Sequence, residues 1–179
     1  MYKILNANWL IARDPENRGR DWKWQDGIAQ DAQPAPVPGI IQQIFPDYHG
    51  VVWYWTTFRL PRRPENGERI LLRFGAVDYL AEVWVNGQSV GGHEGGETPF
   101  ELDATAAIAG DAGNLLAVRV LNPADEPIDG IRLAETPHRN KLNWGYQPGW
   151  MYNHGGILRP VELRLAPPFR LDEVFVKAD

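Results

Sequence analysis

The chain has 179 residues, 44% of them hydrophobic, and a formal net charge of −5 with acids and bases interleaved. That length suits one domain able to bury roughly 70% of its unfolded surface, and the charge offers no electrostatic footprint for nucleic acid. There is no cysteine, which excludes disulfides, thiolate zinc sites and cysteine nucleophiles, and no apolar run approaches the roughly 20 residues of a membrane span.

From the N-terminus, MYKILNANWLIARDPE has Asn6 and Asn8 breaking its apolar stretch and no small-residue cleavage site. It does not read as a signal peptide, so a cytoplasmic protein is expected. Residues 1–50 are punctuated by Pro15, Pro34, Pro36, Pro38 and Pro46 and are expected to be irregular, wrapping the domain without forming its core. Val51 to Leu60 is a long strand. Its even positions, from Val52 and Tyr54 to Phe58 and Leu60, make one apolar face, while Val51, Trp53 and Trp55 begin the other. Pro61 to Gly67 is a polar turn, and Arg69 to Phe74 alternates with Ile70, Leu72 and Phe74 inward.

Tyr79, Ala81, Val83 and Val85 form the next inward set, with Leu80, Glu82 and Trp84 on the opposite face. Asn86-Gly87 then marks a type I′ hairpin, because both central residues of that turn need positive φ. A return strand, a glycine-rich loop around His93 and Glu94, and another strand follow. Asp103 is placed to cap a single helical turn beginning at Thr105. Leu115 to Leu121 is a strand with Arg119 outward. Residues 122–153 show almost no alternation, and so long a segment without an element points to function. Val161, Leu163 and Leu165 alternate with Glu162 and Arg164, Pro167-Pro168 reads as a linker, and Leu171 to Val176 looks like one more strand. Six or seven short strands separated by turn signals, in a chain with eight Trp, argue for an all-β, antiparallel β-sandwich.

Three segments carry a family resemblance. VWVNGQSVGGHEGGETPF (Val83 to Phe100) resembles the signature of the N-terminal sugar-binding domain of glycoside hydrolase family 2, which holds β-galactosidases, β-glucuronidases and β-mannosidases. VPGIIQQIFPDYHGVVWYWTTFRLP (Val37 to Pro61) is similar to the family's lead-in and first long core strand, and GGILRPVELRLAPP (Gly155 to Pro168) to its closing strand. The resemblance implies a jelly-roll, galactose-binding-like sandwich over residues 1–166. Residues 167–179, ending LDEVFVKAD, resemble a linker and the first strand of a following immunoglobulin-like domain. Family 2 enzymes use two glutamates about 5 Å apart. In the family these sit on a (β/α)8 barrel, which needs about 250 residues. This chain is therefore expected to be non-catalytic, a part of a retaining β-glycosidase that lacks the barrel, with the remaining domains of the parent enzyme and a carbohydrate as its partners and no cofactor.

Sugars present hydroxyls to amides and charges, and C–H faces to aromatic rings. The long loop offers both, with His138, Asn140, Lys141, Trp144, Trp150, Tyr152, Asn153 and His154 as candidate contacts. Glu94, beside the glycine loop, and His49 complete the set. In the family an Asp commonly lies six residues before the glycine matching Gly156. Here that position is Trp150, so the acidic contact is not carried over directly, whereas Asn153 sits where some members have Asn. The aromatic residues of the loop could equally fold it onto the sandwich edge. Trp53 and Trp55, two apart on one strand, are either a stacking platform or are covered, by Trp9, Trp22 or Trp24 or by the barrel. The histidines lack metal-ligand partners at any usual spacing. Bare apolar surface is expected on the Trp150 to Gly156 side, a candidate surface for homo-oligomer formation. A stand-alone carbohydrate-binding module and a protein-binding jelly roll are the competing readings.

Overall fold

The computed structural model describes residues 2–65, 67–110, 113–136, 153–169 and 176–177. These form twelve strands: β1 (Tyr2–Ile4), β2 (Trp9–Asp14), β3 (Gln33–Ala35), β4 (Gly50–Phe58), β5 (Arg69–Phe74), β6 (Val77–Asp78), β7 (Leu80–Val85), β8 (Gln88–Glu94), β9 (Phe100–Asp103), β10 (Asn114–Asn122), β11 (Gly156–Ile157) and β12 (Val161–Ala166). One sheet runs β1-β12-β5-β9 and the other β3-β2-β4-β10-β7-β8, with the short pair β11-β6 beside them. Every pairing among them is antiparallel. The chain passes repeatedly between the two sheets, so neither forms without the other, and the architecture is the expected antiparallel β-sandwich.

Between the sheets lies the main core. The even face of β4 (Val52, Tyr54, Phe58) meets Ile70, Leu72 and Phe74 of β5 and Leu163 of β12, all essentially without exposure. The odd face of β4 is buried as well. Val51, Trp53 and Trp55 build a second core with Ala12, Ala117 and Leu121, and Trp24 packs over it. Trp24 meets Trp53 and Trp55 edge-on at 6.3 and 5.9 Å. Both buried indoles also find acceptors. Trp53 Nε1 donates to Asp14 Oδ2 at 3.0 Å and Trp55 Nε1 to the Trp24 carbonyl at 2.8 Å. Trp53 and Trp55 are thus covered and are not an open stacking platform.

The N-terminal expectation needs correction. Residues 1–50 are not a mere wrapping: they contribute three strands, and β2 pairs with central β4 from Leu10↔Trp55 to Asp14↔Val51. Trp9, Ile11, Val37 and Ile41 belong to the main core. Arg119 also departs from its expected setting. It lies on the outer face of β10, yet is fully buried because residues near Asn17, Arg20 and Asp129 close over it.

The hairpin forms as expected, with φ of 49° at Asn86 and 79° at Gly87. At that φ a side chain on Gly87 would be strained, and a Cβ there would also have to displace the Asp26 carboxylate, whose Oδ1 would lie 2.1 Å away. Asp103 Oδ1 accepts the Thr105 N–H at 2.9 Å and opens the short 3-10 turn Thr105–Ala107. The strand expected over Leu171 to Val176 lies outside the described residues apart from its last position.

Candidate functional site

Strand register gathers several chain ends at one rim of the six-stranded sheet. Asp14, the last residue of β2, pairs with Val51, and Asn122, the last of β10, pairs with Gly50. Leu80, which opens β7, pairs with Leu121 and with Glu94, the last residue of β8. His49, Tyr79, Glu94 and both flanks of the long 123–155 connection therefore share this rim.

A buried amide organises it. Asn122 has no exposure. Its Oδ1 accepts from Gln42 Nε2 and from His49 Nδ1, each at 3.0 Å, which places the His49 proton on Nδ1. Its Nδ2 donates to Asn153 Oδ1 at 2.8 Å, and Asn153 Nδ2 donates to the Pro123 carbonyl at 2.6 Å. Asn153 is thereby tied across the base of the long connection, with half-buried His154 next to it. Two backbone bonds fasten the same flank to the lead-in segment: Ile41 N–H to the Gly155 carbonyl at 2.8 Å, and Gly39 N–H to the Ile157 carbonyl at 2.9 Å. Tyr48 donates to the Val51 carbonyl at 2.7 Å. Its hydroxyl is pushed up to about 12 by burial and by the Asp14 carboxylate, so it stays a donor at physiological pH.

Glu94 stands at the same rim without joining this network. Its Oε1 accepts from the Tyr79 hydroxyl at 2.7 Å, and burial together with that carboxylate raises Tyr79 to about 12. The structure thus brings His49 and Asn153 together through Asn122, with Glu94 on the neighbouring strand end. His138, Asn140, Lys141, Trp144, Trp150 and Tyr152 lie outside the described residues, and of the side expected to be bare from Trp150 to Gly156 the described part has Asn153 and His154 half-buried and Gly155 and Gly156 buried. Among the described residues no group of three or more His, Asp or Glu could hold a metal ion, and no helix is long and apolar enough to cross a membrane.

Sequence reasoning missed Asn122 and Gln42. The only available signal was a polar residue ending an otherwise apolar strand. It also missed an ionic cluster on the outer sheet face. Buried Arg119 bonds Glu82 Oε2 and Asp129 Oδ2 at 2.7 Å each, and Asn17 Oδ1 at 2.6 Å, while Arg20 bonds the same two carboxylates. Burial would raise Asp129, but hydrogen bonds from Arg20 and Asn17 and the Arg119 charge outweigh it and hold the carboxyl below its ordinary range. The cluster pins the 15–32 and 123–131 segments to the sheet beside the rim.

Residues 40–167 match the family described as glycosyl hydrolases family 2, sugar binding domain. The chain belongs to that family. Among its relatives, a β-glucuronidase of Paenibacillus borealis is 33% identical over 99% of this chain and 31% of its own length. A β-galactosidase of Thermoanaerobacter pseudethanolicus is 33% identical over 74% of this chain and 16% of its own. The solved structure of a β-glucuronidase from an uncultured Clostridium species superposes with a TM-score of 0.70 and 31% identity, covering 93% of this chain and 29% of the other. This family 2 domain thus spans about three-tenths of the length of the β-glucuronidases it resembles, and it corresponds to their N-terminal sugar-binding domain.

Proposed function

We propose that this family 2 domain is the non-catalytic N-terminal lobe of a retaining β-glycosidase of the β-glucuronidase or β-galactosidase kind. In this reading the rim around Asn122, with the long connection that leaves it, borders the active site and supplies contacts to the glycoside. The carrying observation is the extent of the match: similarity to a β-glucuronidase runs through nearly the whole chain yet takes in 31% of the relative. In this reading residues 167–179, which open with Pro167-Pro168 after β12, are a linker and the first strand of a following immunoglobulin-like domain.

A domain exchange tests the reading. Grafted in place of the corresponding segment of the Paenibacillus enzyme, the chain should restore turnover of a nitrophenyl β-glucuronide to within about tenfold of the parent, where deletion of that segment abolishes it. The 179-residue chain alone should give none. Turnover by the purified chain itself, or a folded graft without activity, would refute the proposal.

A further inference from the structure

Covering Trp53 and Trp55 leaves their neighbour on the same sheet face in a different position. Trp84 of β7 stacks on Trp53 with ring centroids 5.0 Å apart and planes 26° from parallel. It is only half-buried, and its free side lines a groove of about 410 Å³ between β7 and β8. Leu80, Glu82, Ser89, Gly92 and Glu94 complete the lining used here. Gly92, opposite Glu82, leaves the groove floor bare, and a Cβ there would meet the Ala81 carbonyl oxygen at 2.5 Å.

We propose that this groove is a saccharide-binding site for an uncharged glycosyl unit, adjoining the rim at Leu80 and Glu94 without using the Asn122 network, and independent of whether the chain serves a glycosidase. One wall is an aromatic plate, Trp84, whose orientation is already set by Trp53 behind it, and Trp53 is itself fixed by its bond to Asp14. Such a plate takes the C–H face of a pyranose at little ordering cost. Along its sides, Glu94 spends one oxygen on Tyr79, and Glu82 receives both Arg20 and Arg119 on Oε2. That leaves Glu94 Oε2 and Glu82 Oε1 to accept sugar hydroxyls, bonds strengthened by the acceptor's charge. Trp84 and Ser89 line the same space and carry an indole N–H and a hydroxyl able to donate. A volume within the roughly 300–1,000 Å³ of small-molecule clefts suits one or two sugar rings.

Charge selects within the sugars. Arg20 and Arg119 against Glu82, Asp129 and Glu94 leave one negative charge in excess around the groove. The positive members are already fastened to Glu82 and Asp129, so a uronate would face Glu94 without a free cation among the described lining residues. A neutral ring avoids that repulsion.

Titration of the chain with neutral β-linked gluco-, galacto- and manno-configured disaccharides, followed by Trp fluorescence and by the Trp84 indole N–H resonance, tests this. Saturable binding with a dissociation constant of about 0.1–5 mM is expected for at least one of them, with glucuronic acid at least about tenfold weaker. Ser89→Tyr, which fills the groove, and Glu94→Gln, which keeps its shape, should each weaken binding about tenfold or more. Thermal midpoints should stay within about 3 °C of the parent. If Ser89→Tyr fails to fold, the isosteric Glu94→Gln decides. The proposal is overturned by absence of saturation up to about 50 mM, by unchanged affinity in the variants, or by binding of glucuronate or an ammonium probe in preference to neutral sugar.

Discussion

Asn122 shows how one buried amide can specify a surface. Three of its four hydrogen-bonding positions are occupied by groups from two chain segments: Gln42 and His49 of the lead-in to β4, and Asn153. Asn122→Ala would remove at once a partner shared by Asn153 Oδ1, His49 Nδ1 and Gln42 Nε2, the last of which keeps its bond to the Tyr48 carbonyl. Because the site has little access to water, the cost should approach that of an unsatisfied buried group, about 2 kcal/mol. It should appear as a lower thermal midpoint, with faster hydrogen exchange at Gly155 and Ile41. Gly155 is bound to the same residue by shape, since a Cβ there would lie 2.4 Å from Asn122 Cβ. Gly155→Ala must push the flank away and should destabilise by about 1–3 kcal/mol. A stability equal to the parent in both variants would mean that Asn122 is not what anchors this flank.

At the level of elements, the determining choice is that β4 and β10 are buried on both faces, so the six-stranded sheet needs a covering layer that the four-stranded sheet does without. Residues 15–32 supply it, and the Arg119 cluster fastens it. Asp129 is held below the ordinary carboxylate range, so its folded pKa is lower than its unfolded one. The stabilisation it confers is therefore complete above about pH 4, the unfolded value, and is lost as pH falls toward the folded value. Asp129→Asn should remove that part of the acid sensitivity. At pH 7 it should cost about 2 kcal/mol, less than a fully broken buried pair because Glu82 still faces Arg119. Urea unfolding at pH 3 and pH 7 measures both effects, and an unchanged difference between the two pH values would contradict the assignment. The double-faced pattern of β4 was legible in the sequence because alternation over nine residues reports both faces. So were the Asn86-Gly87 turn and the inward set of β7. The identity of the cover was not: Asn17 and Arg119 are 102 positions apart, and no local period carries such a pairing. β2 was missed because WLIARD is a short apolar run between Asn8 and Pro15, and length alone does not separate a buried strand from a loop with apolar anchors. In the site, Asn153 and His49 stood out as polar residues in loops, while Asn122 looked like the trailing end of a strand.

For the whole molecule, these corrections change where the folding unit begins. The family match starts at residue 40, which suggests a domain that could be cut there. The packing argues otherwise. Removal of residues 1–39 would take β2 from the flank of β4, exposing the backbone of a central strand along the register Leu10↔Trp55 to Asp14↔Val51. It would strip Trp9 and Ile11, each at most 1% exposed, from the main core. It would also delete Trp24 from above Trp53 and Trp55 and remove Asp14, the acceptor of the Trp53 N–H. Losing a buried Trp or Ile costs about 2–5 kcal/mol each, and an uncovered Trp pair adds a comparable amount. The total exceeds the roughly 5–15 kcal/mol margin of an ordinary domain at its lower end and consumes most of it at its upper end. The full chain should therefore show near-ultraviolet circular dichroism from its buried indoles and a single cooperative thermal transition. The chain starting at residue 40 should show neither and should accumulate as aggregate. A soluble, cooperatively unfolding 40–179 fragment with an intact near-ultraviolet spectrum would return the N-terminal strands to the status of a dispensable wrapping.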